Sequence, residues 1–186
     1  EGRGLLKKIH NIQPMNFISA ISVSLAHNDV SFANRLITIY KEKINSEFRD
    51  EVIMISRGMI ELSEGNFEDV KKLLKNHKTK YVSLYLFSKS TLLKALYELK
   101  EDKNIHPLVD TVKHFLNRKL TGNIQQKENI FKFLNYLGAL VSMRKKHNKG
   151  VEMLMDKMND EKTFFQKRWI VAKAEELLKS SDKVTE

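Results

Sequence analysis

The chain has 186 residues, no cysteine, two prolines and seven glycines, and 33 Lys plus Arg against 23 Asp plus Glu give it a formal charge of +10. That length suffices for one domain or a short solenoid whose core needs no disulfides. The lack of cysteine excludes thiolate catalysis, Cys-ligated zinc and disulfide frameworks, and fits a reducing, cytoplasmic setting.

Residues 1–14, with Gly2-Arg3-Gly4 near their start, read as a partly disordered leader, and a start at Glu1 rather than Met is expected of a piece of a longer polypeptide. Residues 15–179 read as a single helical domain and 180–186 as a polar tail. Apolar residues recur at helical spacing through the domain, and strand-like alternation is sustained nowhere. The first such face is Val30, Ala33, Ile37, Tyr40, Ile44. The second is Phe48, Val52, Ile55, Met59, Leu62. Tyr81, Leu84, Ser88, Leu92, Ala95 and Leu99 follow, then Leu108, Val112 and Phe115, then Ile130, Leu134, Leu137 and Val141, then Val151, Leu154 and Met158. The fold class is all-α.

Short polar side chains stand where helices should start, because they can accept from the unpaired N–H groups of a first turn. Asn28 and Asp29 precede Val30, Asn66 precedes Phe67, and Asn104 precedes Ile105, with Pro107 expected in a first turn. Thr163 with Gln166 forms a capping-box pattern before a last helix reaching Lys179, with Trp169, Ile170, Ala174, Leu177 and Leu178 on its apolar side. The stretch from Leu120 to Gln125, through Thr121-Gly122-Asn123, is an irregular connection.

Registering the polar turns aligns Val30, Phe67 and Ile105, then Ala33, Val70 and Leu108, then Ile37, Leu74 and Val112, at spacings of 37 and 38 residues. A fourth unit, turning near His147 to Gly150, follows at a longer offset of about 46 residues from Ile105 to Val151.

The segment Ser56 to Lys75, SRGMIELSEGNFEDVKKLLK, resembles a tetratricopeptide repeat. Gly58 stands as the small residue where the first helix of the unit meets the second, Gly65 as the turn glycine, Phe67 as the aromatic after the turn, and Val70 where the family prefers Ala. Leu25 to Ile37 is similar, with Ala33 in the small position, and Leu92 to Val112 keeps only the apolar spacing. The family's proline at the repeat end is absent. The resemblance implies a TPR-like, right-handed α-α superhelix of about four hairpins with a C-terminal capping helix. The array with its Trp-bearing last helix is also similar to bacterial helical-repeat proteins of uncharacterised activity. By the same resemblance, a concave groove would use Ser19, Ser22, Ser56, Met59, Lys94 and Tyr97.

Chemistry-bearing patterns are sparse. His10, His27, His77, His106, His114 and His147 make no His-x-x-x-His pair, and Gly2-Arg3-Gly4 lacks phosphate-loop spacing. No paired carboxylates imply a cleft that would shift a pKa. No enzyme activity, metal or cofactor is expected. Residues 1–93 carry 14 basic and 10 acidic side chains and residues 94–186 carry 19 and 13, so the excess is spread along the chain as a solvated surface would have it. Two basic clusters stand out: Lys71, Lys72, Lys75, His77, Lys78 and Lys80; and Arg144, Lys145, Lys146, His147 and Lys149. Either could contact phosphates, or complement helix C-termini. No apolar run reaches the roughly 20 residues of a spanning helix, so no membrane insertion is expected. The reading is a scaffold or adaptor that binds a protein or peptide. The alternatives are a basic nucleic-acid-binding repeat and a purely structural or oligomerisation module of a longer chain.

Overall fold

A computed structural model describes residues 11–122, 124–145 and 150–182. The order is α1 (Pro14–Ala26), α2 (Val30–Tyr40), a 3-10 turn (Lys41–Lys43), α3 (Arg49–Glu64), α4 (Phe67–Leu74), α5 (Val82–Glu98), α6 (Asp102–Lys119), α7 (Ile124–Lys145), α8 (Val151–Asp160) and α9 (Lys167–Asp182). The protein is all-α. Among the described residues, extended pairing is confined to an isolated parallel bridge between Ile12 and Ile44, where the Ile12 N–H donates to the Lys43 carbonyl at 2.7 Å. The chain divides into two compact units at Glu101 and Asp102, and each is described by itself.

In the first unit, α3 packs against both α1 and α5, α2 lies against α1 and α3, and α4 lies against α3 and α5. Odd-numbered helices therefore form one layer and α2 with α4 the other. Ile18, Ile21, Ala33, Val52, Ile55 and Leu84 fill the space between the layers, and their removal from water drives the packing. α3 and α4 approach each other closely at Gly58. A Cβ placed there would lie 2.8 Å from Cδ1 of the fully buried Leu74, so a larger residue would have to displace that side chain where α3 meets α4.

Three helices of this unit end in the same way. Asn28, Gly65 and Lys100 adopt left-handed backbone with φ of 57°, 83° and 57°. Each donates its N–H to the carbonyl three residues back, Leu25, Leu62 and Tyr97, at 3.0, 3.3 and 3.1 Å. The next residue, Asp29, Asn66 or Glu101, donates to the carbonyl five back, Ser24, Glu61 or Leu96, at 3.0, 2.9 and 2.9 Å. This is the paired-bond helix stop that satisfies the orphan carbonyls of a last turn.

The following helices begin at Val30, Phe67 and Asp102, 37 and 35 residues apart. This corrects the register read from the sequence. Ile105 corresponds to Ala33 and Val70, three residues into its helix, and Val109 to Ile37 and Leu74, seven residues in; all six are buried. The buried face of α6 is accordingly Ile105, Val109, Val112 and Leu116, with Leu108 and Phe115 only half-buried. Asn104 is not its cap, and Pro107 lies inside the helix rather than in its first turn. The Glu101 N–H is committed to Leu96, so the chain turns into α6 three residues earlier than the Asn104 signal suggests.

The caps differ in detail. Asp29 accepts from the Phe32 N–H at 2.8 Å as expected. Asn66 instead turns its side-chain amide back to the Glu61 carboxylate at 2.8 Å.

In the second unit α7 is central, packed against α6, α8 and α9, while α8 also meets α9. Phe133, Leu134, Leu137, Leu140 and Val141 are its buried residues on the described part of α7, beside Ile130. The last helix starts at Lys167, so the capping box at Thr163 does not form. Phe164 is buried instead, the Phe165 N–H donates to the Asn129 carbonyl at 3.3 Å, and the Phe165 ring meets Phe133 edge-on at 5.7 Å. Anchoring this aromatic pair uses up the residues that would have been the first turn, and Gln166, at φ 60°, supplies the carbonyl that accepts from the Ile170 N–H. Most of the expected leader, Asn123, residues 146–149 and the end of the tail lie outside the described residues.

The stop at Lys100 holds an L side chain in a conformation that costs roughly 1–2 kcal/mol and that Gly65 adopts freely. Lys100→Gly is expected to raise unfolding stability by about 1 kcal/mol, read from the urea midpoint at unchanged m-value.

Candidate functional site

The odd-numbered helices of the first unit begin close together. Gln13, Phe48 and Tyr81 occupy their N-cap positions, and none makes a side-chain cap bond. Pro14 fits the first turn of α1, where a missing N–H removes nothing from the helix ladder. Phe48 and Tyr81 carry no short side-chain acceptor that could cap, and their rings instead pack together, 4.7 Å between centroids and inclined at 70°. The Tyr81 hydroxyl donates to the Glu47 carboxylate, which with burial holds the phenol above its usual pKa, and the Lys80 ammonium lies 5.1 Å from the ring centre. Between these helix starts an open groove of about 320 Å³ is lined by Gln13 to Met15, Phe48 and Tyr81 to Leu84, and its walls are mainly apolar.

A polar network joins the α4–α5 connection to α3 and α5. His77, in the connection between α4 and α5, is only 8% exposed. Its Nε2 lies 2.7 Å from Oε1 of Glu51 on α3, and its Nδ1 lies 2.7 Å from Oγ of Ser88 on α5. A carboxylate only accepts, so Nε2 carries a proton. Lys89 of α5 donates to the carbonyl of His77 at 2.7 Å and to that of Leu74, the last residue of α4, at 3.4 Å. An ammonium at a helix C-terminus meets the negative end of its dipole. Burial and the neighbouring Lys78 nevertheless lower the Lys89 pKa. Ser, His and Glu in a row resemble a nucleophile with its base, but Ser88 is 0% exposed and no substrate carbonyl could reach its oxygen. The arrangement ties α3, α5 and their connection together.

The residues expected to form a concave groove differ in burial. Ser19 is exposed; Ser22 is half-buried and donates to the Ile18 carbonyl at 2.9 Å; Met59 is half-buried against the core. Ser56 and Tyr97 are buried, and the Ser56 hydroxyl has no hydrogen-bond partner among the described residues. The exposure expected of Ser56 is thus corrected: its helix face is the one pressed between neighbouring helices. Lys94 is half-buried, and desolvation pushes its pKa down to about 8.

The second basic cluster is also changed. Arg144 forms an ion pair with Asp102, joining the end of α7 to the start of α6, with side-chain exposures of 18% and 14%. Lys146, Lys149 and the side chain of Lys145 lie outside the described residues. In the first cluster Lys71 pairs with Glu101 and Glu68, and Lys72 with Asp69 at 2.8 Å. His77 belongs to the interior rather than to that surface.

Comparison with protein-family models, curated proteins and solved structures finds no match to this chain. The site therefore has to be read from its own geometry. Among the described residues no group of three or more His, Asp or Glu side chains is placed to hold a metal ion, and no helix is long and apolar enough to cross a membrane.

Sequence reasoning did not find the groove or the His77 network. One signal was present for the groove, Phe48 and Tyr81 as aromatic residues at the heads of two equivalent apolar faces; nothing local marks His77 as a partner of Glu51 and Ser88.

Lys94 offers a test of the half-buried amine. Its folded pKa lies below the unfolded value of 10.5, so its charge opposes folding in full below about pH 8, and the penalty fades as pH rises toward 10.5. Lys94→Met is expected to raise the melting temperature at pH 7, with the gain over wild type shrinking by pH 10.

Proposed function

We propose that this chain is a divergent TPR-like helical repeat that binds a protein or peptide partner, and that the groove at the starts of α1, α3 and α5 receives an apolar side chain of that partner. Support for the repeat comes from the three equivalent helix stops, the alternating layers of the first unit and the close crossing at Gly58. The observation that carries the binding reading is the groove itself. Its volume of about 320 Å³ is at the small end of ligand pockets, suited to an anchoring side chain rather than a large cofactor. Apolar anchors seated in pockets carry most of the energy of such contacts.

The nucleic-acid alternative draws less support, because Arg144, Lys71 and Lys72 already face carboxylates. A phosphate-binding surface needs cations left for the ligand.

Panning a random peptide library on the immobilised protein tests the proposal. Enriched peptides should share an apolar anchor. Ser83→Arg, at an exposed lining position, should weaken them at least tenfold, with shallow salt dependence. Absence of enrichment, or peptides indifferent to Ser83→Arg, would count against the groove. RNA binding that survives this substitution and falls steeply with salt would favour the alternative.

A further inference from the structure

We propose that Glu51, His77 and Ser88 act as a positioning relay that sets the Tyr81 wall of the groove, and so decides which side chains the groove admits; the consequence for binding rests on the groove reading above. Two helices converge on His77: Glu51 meets the imidazole from the first turn of α3 and Ser88 meets it from the middle of α5, where the neighbouring Lys89 donates to the backbone carbonyl of His77 itself. The end of α4 is drawn in by the same ammonium through Leu74.

From this anchor the chain runs directly to the groove. Thr79 Oγ1 accepts from the Tyr81 N–H at 3.2 Å, which closes a tight turn around Lys80. Tyr81 is then fixed at its other end by Phe48, which stands at the start of α3, three residues before Glu51. The relay and the wall therefore share both of their supports, α3 and the α4–α5 connection. A shift of His77 moves Tyr81 relative to Phe48.

The chemistry of the anchor favours positioning over bulk stability. Buried polar groups regain in hydrogen bonds roughly what they lose in hydration, so an apolar trio of similar volume would hold the helices as well. What a satisfied network adds is a single geometry, since only one placement of the ring meets both Glu51 and Ser88. His77 is the least replaceable member, because it touches both partners.

The test compares His77→Leu and His77→Gln in the full chain, with far-UV circular dichroism confirming the helical fold. Gln can still donate to Glu51 and accept from Ser88, whereas Leu can do neither. The readouts are the nuclear Overhauser contact between the Phe48 and Tyr81 rings and the affinity for the uncharged dye N-phenyl-1-naphthylamine as an apolar probe. In His77→Leu the ring contact should be lost and probe affinity should change at least threefold; in His77→Gln both should stay near wild type. An intact ring contact in a folded His77→Leu protein overturns the proposal, as does equal loss in the two variants. If His77→Leu does not fold, Ser88→Ala is read in the same way, and an unchanged ring contact there overturns it. Ser83→Arg in the wild-type background separates the two readings: it should abolish probe binding and keep the ring contact. Probe binding that ignores Ser83→Arg sinks the groove while the ring contact still decides the relay.

Discussion

Every helix must dispose of the carbonyls that its last turn leaves without donors, and in this chain that constraint sets the spacing of much of the first unit. Asn28, Gly65 and Lys100 solve it identically, by turning left-handed and sending two consecutive N–H groups back into the helix. The stop fixes where the next helix begins. It thereby fixes which residues face inward, so Ala33, Val70 and Ile105 are each buried three residues into their own helix, and Ile37, Leu74 and Val109 seven residues in. Burial then follows from register. One of the three stops uses glycine; the others hold Asn and Lys in the same strained region, which marks the geometry rather than the residue as the repeated feature.

The interior of the first unit combines two kinds of adhesion. Apolar side chains from both layers make the core, and a small residue at Gly58 lets Leu74 approach α3. The connection from α4 to α5 is held differently, by His77 and Lys89 through hydrogen bonds. That distinction matters where the connection reaches Tyr81, because there the chain leaves the core and becomes the wall of an open groove. In the second unit the comparable anchor is aromatic: Phe165 and Trp169 meet Phe133, and the start of α9 yields to them.

Much of the helical architecture could be read from the sequence because amphipathic periodicity is a local signal. Val52 with Ile55, Leu134 with Leu137, and Val151 with Met158 are buried as their spacing implies. Helix starts were legible where a side chain does the capping, as at Asp29. They were misread where the preceding stop or a tertiary contact decides: Asn104 gave way to Asp102, and Thr163 to Lys167. The site was less legible still. Ser56 and Tyr97 look like surface residues by resemblance, yet neighbouring helices cover them. The groove depends on Gln13, Phe48 and Tyr81, far apart in sequence and brought together only because α1, α3 and α5 share a layer. No local pattern announces such a meeting, and the His77 network is hidden for the same reason.

Amide hydrogen exchange resolved residue by residue tests the repeated helix stop most directly. The N–H groups of Asp29, Asn66 and Glu101 should all be protected, each by its bond to the carbonyl five residues back, although all three lie just beyond the end of a helix. Exchange of Glu101 or Asp29 at the rate of an unstructured chain, with Asn66 protected, would contradict the account, because the stop would then belong to the glycine turn alone.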